Sequence, residues 1–456
     1  MKKLISTNPG KNYSPVGSVS VSSLSEITNK VEAANNIKRV WKELGVIQRI
    51  RMLKPLINQI ENRKEELALL TTQEMGKPIK ESRDDIIWDL GYLKSFFELG
   101  GQYLRDEEIY KNGKSVHNII FEPIGSTAVI TPWNFPFDMF LWGVIPNLIA
   151  GNTVVFKHSE ETPLIGKIAE EMMDRLNLPK GVFSEVYGDG KIGAQLVEQD
   201  VNFIWFTGSS TVGKKLFELS GKKFIKSALE LGGSNPAILF EDINVKETLK
   251  KIYLKRFMNC GQVCDAVKRL IVHESIFNEV VADLKAIIES KIVGDPENEK
   301  TDIGSLVSKK QLLALEGQMK DAVEKGAQVI TGGKRPFHLQ GAYYLPTLLT
   351  NIKPKMKVWK EEVFGPVLPV VSFKSDEEAV KLANDTEFGL GAVICSSNVK
   401  RAEKIAKQVD AGDIDINSGS HLEACTPFGG YKNSGMGREH GRLGFQELCQ
   451  IKVIAQ

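Results

Sequence analysis

The sequence predicts an α/β protein of two or three domains with mainly parallel sheets, and three observations carry that reading. Between Thr153 and Leu229, short β-branched and aromatic runs alternate with stretches of helical spacing. That βαβ rhythm places parallel strands between covering helices. The rhythm resumes after Pro236, so the glycine-rich segment Glu230–Ser234 (ELGGS) marks a seam between two α/β units. Finally, 456 residues with 42% hydrophobic and 25% charged side chains suit ordinary globular domains and exclude a disordered or fibrous chain.

The elements follow in order. Ser23 and Glu26 have capping-box spacing, and Ile27, Val31, Ala34, Ile37, Trp41 and Leu44 then recur as one helix face. A second helical stretch runs from about Gln48 to Glu74 and breaks near Pro55. Ile109–Gly125 is extended and polar, which suits an arm between domains or subunits. The apolar strand Ser126–Ile130 precedes Trp133-Asn134-Phe135-Pro136. Strands at 153–157, 182–187, 202–206 and 224–229 then alternate with helices at 164–176, 192–199 and 212–220. Beyond the seam, 237–240, 270–273, 368–373, 392–395 and 413–417 read as strands.

Charge narrows the partners. Lys plus Arg is 59 and Asp plus Glu is 57, a net of +2, which gives no electrostatic case for nucleic acid or an anionic membrane. The most apolar run, Met139–Gly151, is shorter than a membrane span and contains Pro146 and Asn147. The first residues lack the apolar core of a signal peptide, so the cytoplasm is the expected compartment. Five cysteines (260, 264, 395, 425 and 449) are too sparse for a disulfide framework and leave room for one reactive thiol.

Two loops resemble phosphate cradles. Gly188–Gly193 has the G-x-G-x-x-G spacing between strand and helix, but no acidic residue stands about 20 positions on to hold a ribose. By itself it reads as a glycine turn. Gly208–Lys215 approaches a P-loop, yet Lys215 stands where Ser or Thr must reach Mg²⁺. A P-loop NTPase is therefore the alternative from another class. The simpler reading keeps the free N–H groups of a helix start for a phosphate.

Cys264 follows Phe257-Met258-Asn259-Cys260-Gly261-Gln262-Val263. Cys260 and Cys264 have no second pair or nearby histidine to complete a zinc site, so no metal is expected. An Asn134 amide can donate to an oxyanion, and Glu230 ends a strand at the sheet edge where α/β sites form. Singly, each residue also reads as ordinary structure: a buried small hydrophobe, an Asx turn and a surface carboxylate.

Together these segments resemble the NAD(P)-dependent aldehyde dehydrogenases. The resemblance runs from Asn8 to the end through TPWNFPF (131–137), GNTVVFKHSEETP (151–163), FTGSSTVG (206–213), LELGGSNP (229–236), GQVC (261–264), EEVFGPV (361–367) and PFGGYKNSGMGRE (427–439). These fall in family order, with Glu230 and Cys264 34 apart and Asn134 and Lys157 23 apart. The resemblance implies a Rossmann-like cofactor domain (1–107 and 124–230) and a second α/β catalytic domain (231–432). It also implies a β-arm for oligomerisation (108–123 and 433–456), giving a homodimer or homotetramer in which the C-terminal strand 450–455 completes a neighbour's sheet.

It implies roles as well. Cys264 attacks the aldehyde carbon as a thiolate, while Asn134 and the Cys264 backbone N–H hold the oxyanion. Hydride passes to the nicotinamide, and Glu230 activates the water that hydrolyses the resulting thioester. Lys157, Ser159 and Glu160 take the adenosine ribose, and Glu160 favours NAD over NADP, a choice Lys157 and Ser159 soften. Ser209 and the Gly208 turn meet the pyrophosphate, and Glu362 binds the nicotinamide ribose with Phe364 packing beside the ring. Thr131, Pro132, Trp133, Gly190, Phe206, Val212 and Leu231 complete the cofactor-binding set.

Phe135, Met139, Trp142, Val263 and Phe428 form an aromatic, apolar access tunnel, with His421 and Glu423 adding polarity at its mouth. GQVCDAVKR (261–269) and LANDTEFGL (382–390) look most like bacterial succinate-semialdehyde dehydrogenases. That group clamps a distal carboxylate with arginine, whereas this chain has Trp142 and Met258 at the corresponding places, which suits a neutral aldehyde better. A redox disulfide between Cys260 and Cys264 is conceivable from their spacing.

Overall fold

The computed structural model describes residues 2–456. Its first sheet contains β1 (Ser126–Ile130), β2 (Thr153–Lys157), β3 (Phe183–Val186), β4 (Phe203–Thr207) and β5 (Lys226–Glu230). They run parallel in the order β3-β2-β1-β4-β5. This is the order of a Rossmann-type sheet, which reverses direction between β1 and β4 and opens a crevice at their C-terminal ends. The second sheet contains β6 (Asn235–Leu239), β7 (Val267–His273), β8 (Gln328–Thr331), β9 (Thr347–Thr350), β10 (Val367–Phe373), β11 (Gly391–Cys395) and β12 (Asp413–Ile416). Its order is β8-β9-β10-β7-β6-β11-β12, parallel except for β8. The seam at ELGGS joins β5 directly to β6, so the two sheets meet where Glu230 sits.

The helix Pro136–Ala150 shows how packing overrides local preference. All its residues are buried, as expected for a helix apolar on every side. Pro136 opens it and Gly151, at φ +101, closes it. At Gly143 a Cβ would stand 2.6 Å from the Trp205 ring and 2.7 Å from Val129 Cγ1, so only glycine lets the helix lie flush on β1 and β4. In this way the loop Thr131–Phe135 is fixed at the mouth of the crevice.

The N-terminal helices match expectation. Leu24–Glu43 is capped by Ser23 Oγ, which accepts from the Glu26 N–H at 3.2 Å, and Pro55 separates Gly45–Leu53 from Leu56–Met75. Glu26 does not close a capping box; its carboxylate accepts from Ser22 and Lys30 instead.

The arm is a three-stranded antiparallel sheet of Glu107–Asn112, Ser115–Pro123 and Cys449–Ala455, in which the C-terminal strand pairs along one edge with this chain's own Ser115–Pro123. The segment 433–456 is also divided. Gly435–Met436 pairs with β5, and the helix Gly441–Glu447 intervenes before the arm strand begins.

Candidate functional site

A cavity of about 820 Å³ opens beyond the ends of β1, β4 and β5 and is closed from the other side by the loop before β7. The structure brings Cys264, Asn134, Pro132, Trp133, Gly208, Ser209, Leu231, Glu362 and Phe364 to its wall, with Phe135, Met139, Trp142, Val263 and Phe428.

The loop carrying Cys264 is held firmly. Asn259, Cys260 and Gly261 are consecutively left-handed (φ 52, 54 and 73), a strained turn stabilised from all sides. Asn259 Nδ2 donates to the Asn134 carbonyl at 2.8 Å, and Asn134 Nδ2 donates to the Gln262 carbonyl at 3.0 Å. The Asn259 N–H reaches Glu81 at 2.8 Å, and Gln262 Oε1 accepts from the Val307 N–H at 2.9 Å. The Cys264 carbonyl accepts from Lys268 Nζ at 2.6 Å and Asn235 Nδ2 at 3.1 Å. Its N–H has no hydrogen-bond partner among the described residues and is free to serve a ligand oxygen.

Electrostatics leave the resting thiol protonated. Burial, followed by the charge of Asp265, pushes Cys264 well above the ordinary thiol range, and Lys268 only partly opposes this. Lys268 is fully buried and also pairs with Glu362 at 3.0 Å, which accepts the Gly233 N–H at 3.1 Å. Phe364 stands edge-on to Trp133, centroids 5.5 Å apart.

Glu230 does not line the cavity. Its carboxyl is buried without a hydrogen bond, beside Gly429 and Glu439. Burial and then repulsion from Glu439 hold it well above the usual carboxylate range, which favours its protonated form.

Thr131, Lys157, Ser159, Glu160, Gly190, Phe206 and Val212 also lie outside the cavity wall. Lys157 is buried and donates to the His158 carbonyl at 2.9 Å and to exposed Glu160 at 3.4 Å. Ser159 Oγ accepts the Glu161 N–H at 3.3 Å. Gly190 begins a helix and has open space beside it, and Val212 lies exposed on the first turn of the helix Ser210–Lys223. Phe206 lies near the end of β4, and Thr131 Oγ1 is buried without a partner.

Sequence reasoning missed the acidic side of the cavity. Asp84 and Asp85 from the helix Ile79–Tyr103, with Asp138 and Asp265, reach its wall beside Glu423, the one acid expected at the mouth. The tunnel is therefore aromatic but not apolar throughout. His421, expected at the mouth, lies behind the cavity wall. It sits 3.0 Å from Asp415 and 3.5 Å from Asp265, and although burial opposes its charge, those two carboxylates push it up to about 10. The raised value means this contribution is complete below about pH 6.5 and is lost as pH rises through about 10. His421→Gln is therefore expected to lower Tm at pH 7 by about 2–4 °C, with the gap closing above pH 10 in thermal melts. An equal gap at both pH values would remove the charge from this role.

Cys260 and Cys264 are both free thiols. Cys260 is packed in the core of the second sheet while Cys264 faces the cavity, an arrangement that gives the disulfide no support.

Fold and cavity together define a two-sheet α/β protein whose thiol faces a nucleotide-type crevice. The chain belongs to the aldehyde dehydrogenase family: that family's model matches residues 2–454. A Staphylococcus haemolyticus (strain JCSC1435) relative whose name assigns it to the aldehyde dehydrogenases is 35% identical over 444 residues, covering 96% of this chain and 92% of that one. Among solved structures, an NADP-dependent enzyme of E. coli superposes with TM-score 0.96 at 32% identity, covering all of this chain and 95% of the other. An NAD-dependent aldehyde dehydrogenase from Sinorhizobium meliloti gives TM-score 0.96 at 33% identity, covering all of this chain and 91% of the other. The P-loop alternative falls with the family assignment, and Lys214 of that loop reaches outward to Glu387 at 4.0 Å.

Proposed function

We propose that the protein oxidises an aldehyde to its carboxylic acid with NAD(P)⁺ through a thioester on Cys264. The observation that carries this is the unpartnered Cys264 N–H beside the Asn134 amide on one cavity wall. Cys264 Sγ gives up its proton to solvent and attacks the carbonyl carbon. The oxyanion is met by the Cys264 N–H and by the N–H of Asn134 that Gln262 does not use. When bound, the nicotinamide supplies the two-electron acceptor for the aldehyde C–H. Glu230, its own proton released to solvent, then turns from Glu439 toward the thioester and accepts a proton from the attacking water as the acyl C–S bond breaks, releasing the carboxylic acid and the Cys264 thiolate.

The residues fit a dinucleotide. The helix Ser210–Lys223 opens with free N–H groups behind Gly208 and Ser209, the orphaned Thr131 hydroxyl needs a partner, and Glu160 offers a carboxylate to ribose hydroxyls. Phe364 and Trp133 wall the nicotinamide side, with Glu362 beside them. Glu160 repels a 2′-phosphate, so NAD is the expected preference; higher kcat/KM with NADP would reverse it. No arginine or lysine lines the cavity, so succinate semialdehyde finds no counter-charge there. The arm, with Ile451 and Val453 exposed on its edge strand, suits a homodimer or homotetramer, which light scattering distinguishes.

Glu230→Gln is expected to leave the first-turnover NADH burst intact and slow the steady state by about 10²-fold or more. Because burial and Glu439 raise the Glu230 carboxyl, wild-type kcat should rise with pH above the usual carboxylate range, and that limb should vanish in the variant. An unaltered steady state would take Glu230 out of hydrolysis.

A further inference from the structure

The cavity wall has a charge the reaction does not use. Six carboxylates reach it and no lysine, arginine or histidine does. Three are neutralised from behind: Asp85 by Lys77, Asp265 by His421, and Glu362 by Lys268. Asp84, Asp138 and Glu423 have no basic partner among the described residues. Asp138 is 2% exposed and its Oδ2 has no hydrogen bond, so a polar oxygen is dry and unmatched at the wall. Behind it Asp89 is fully buried with both oxygens unpaired. Burial and then Asp85 push Asp138 up to about 7, burial and then Asp138 raise Asp89 behind it, and Lys77 only partly opposes both, so the two carboxyls share a proton.

Aromatic faces surround these carboxylates. Trp88 packs edge-on to Trp142 at 5.5 Å, and Phe135 and Phe428 complete the wall. His440 backs Trp142 at 4.2 Å, and burial drops it to about 3, so it stays uncharged. Lys77 Nζ sits 3.8 Å from the Phe135 ring centroid, so that ring already holds one cation contact. Aromatic faces with unpaired carboxylates recognise ammonium groups.

We propose that the substrate is an aldehyde carrying a cationic ammonium group, held by Asp138, Asp84 and Glu423 among the rings of Trp88, Trp142, Phe135 and Phe428. This rests on the aldehyde-oxidising reading above and adds the substrate class to it.

The test compares isosteres that differ only in charge. For turnover, the pair is trimethylammonioacetaldehyde and 3,3-dimethylbutanal, with succinate semialdehyde as the anionic member. The cation should exceed its neutral isostere in kcat/KM by about 10-fold or more, with the anion poorest. Equal or higher kcat/KM for the neutral aldehyde overturns the proposal while leaving aldehyde oxidation standing. A second readout needs no turnover: protection of Cys264 from iodoacetamide by choline against 3,3-dimethylbutan-1-ol. Better protection by choline supports the cation site even if no aldehyde is oxidised, an outcome that would sink only the reaction. Equal protection overturns the site. Asp138→Asn, and separately Asp84→Asn should the first fail to fold, should shrink the cation-to-neutral ratio about 5-fold or more; unchanged ratios in both overturn the assignment.

Discussion

Cys264→Ala is expected to lower aldehyde-dependent NADH formation on the order of 10⁴-fold or more, because loss of a nucleophile removes the covalent route rather than one contact within it. The fold should survive. The Cys264 sulfur makes no hydrogen bond, and the loop around it is held by Asn235, Lys268, Asn259 and Gln262 through backbone and amide contacts that alanine keeps. Thermal melts should therefore differ by about 1–2 °C at most. The other four cysteines do not compensate. Cys260, Cys395 and Cys449 are buried, and Cys425 is exposed outside the cavity wall. Appreciable turnover in the variant would exclude Cys264 as the nucleophile.

The second large effect is expected at Asn134→Ala. One oxyanion donor is lost while the Cys264 N–H remains, a cost of about 3–4 kcal/mol of barrier, or roughly 10²–10³ in kcat. KM should change little, because the donor meets charge that develops only in the transition state. The variant also loses the hydrogen bond to the Gln262 carbonyl, worth about 1 kcal/mol of stability. The kinetic loss should therefore far exceed the stability loss. A rise in KM at constant kcat would assign Asn134 to ground-state binding instead.

The legible parts of this fold were those whose signal is local. Strands β1 to β5 are short, β-branched and separated by amphipathic helices, so the parallel sheet follows from periodicity. What was missed depends on distant partners. β9 (TLLT) is only four residues, wholly buried, and follows Pro346, while β8 is an exposed edge strand with a register shift. Neither has a clean alternation. The N-terminal hairpin Lys3–Asn8 with Ser14–Ser20 contains Pro15 and Gly17, which hide it from any strand pattern.

The same division holds in the site. Motif spacing brings Cys264 and Asn134 to one wall, yet in sequence Asp84 and Asp85 look like the polar face of a helix. The ion pairs of His421 were not legible because its partners, Asp265 and Asp415, lie 156 and six positions away. Even Glu230, correctly set at the end of β5, turns toward Glu439, a contact made only by tertiary pairing with Gly435–Met436.

The account turns on acyl transfer to a single sulfur. Glu230→Gln mixed with NAD⁺ and an aldehyde, quenched in acid within the burst and digested, should yield the Cys264 peptide heavier by the acyl group of that aldehyde. An unmodified Cys264 peptide during a full NADH burst, or the acyl mass on another residue, would contradict it.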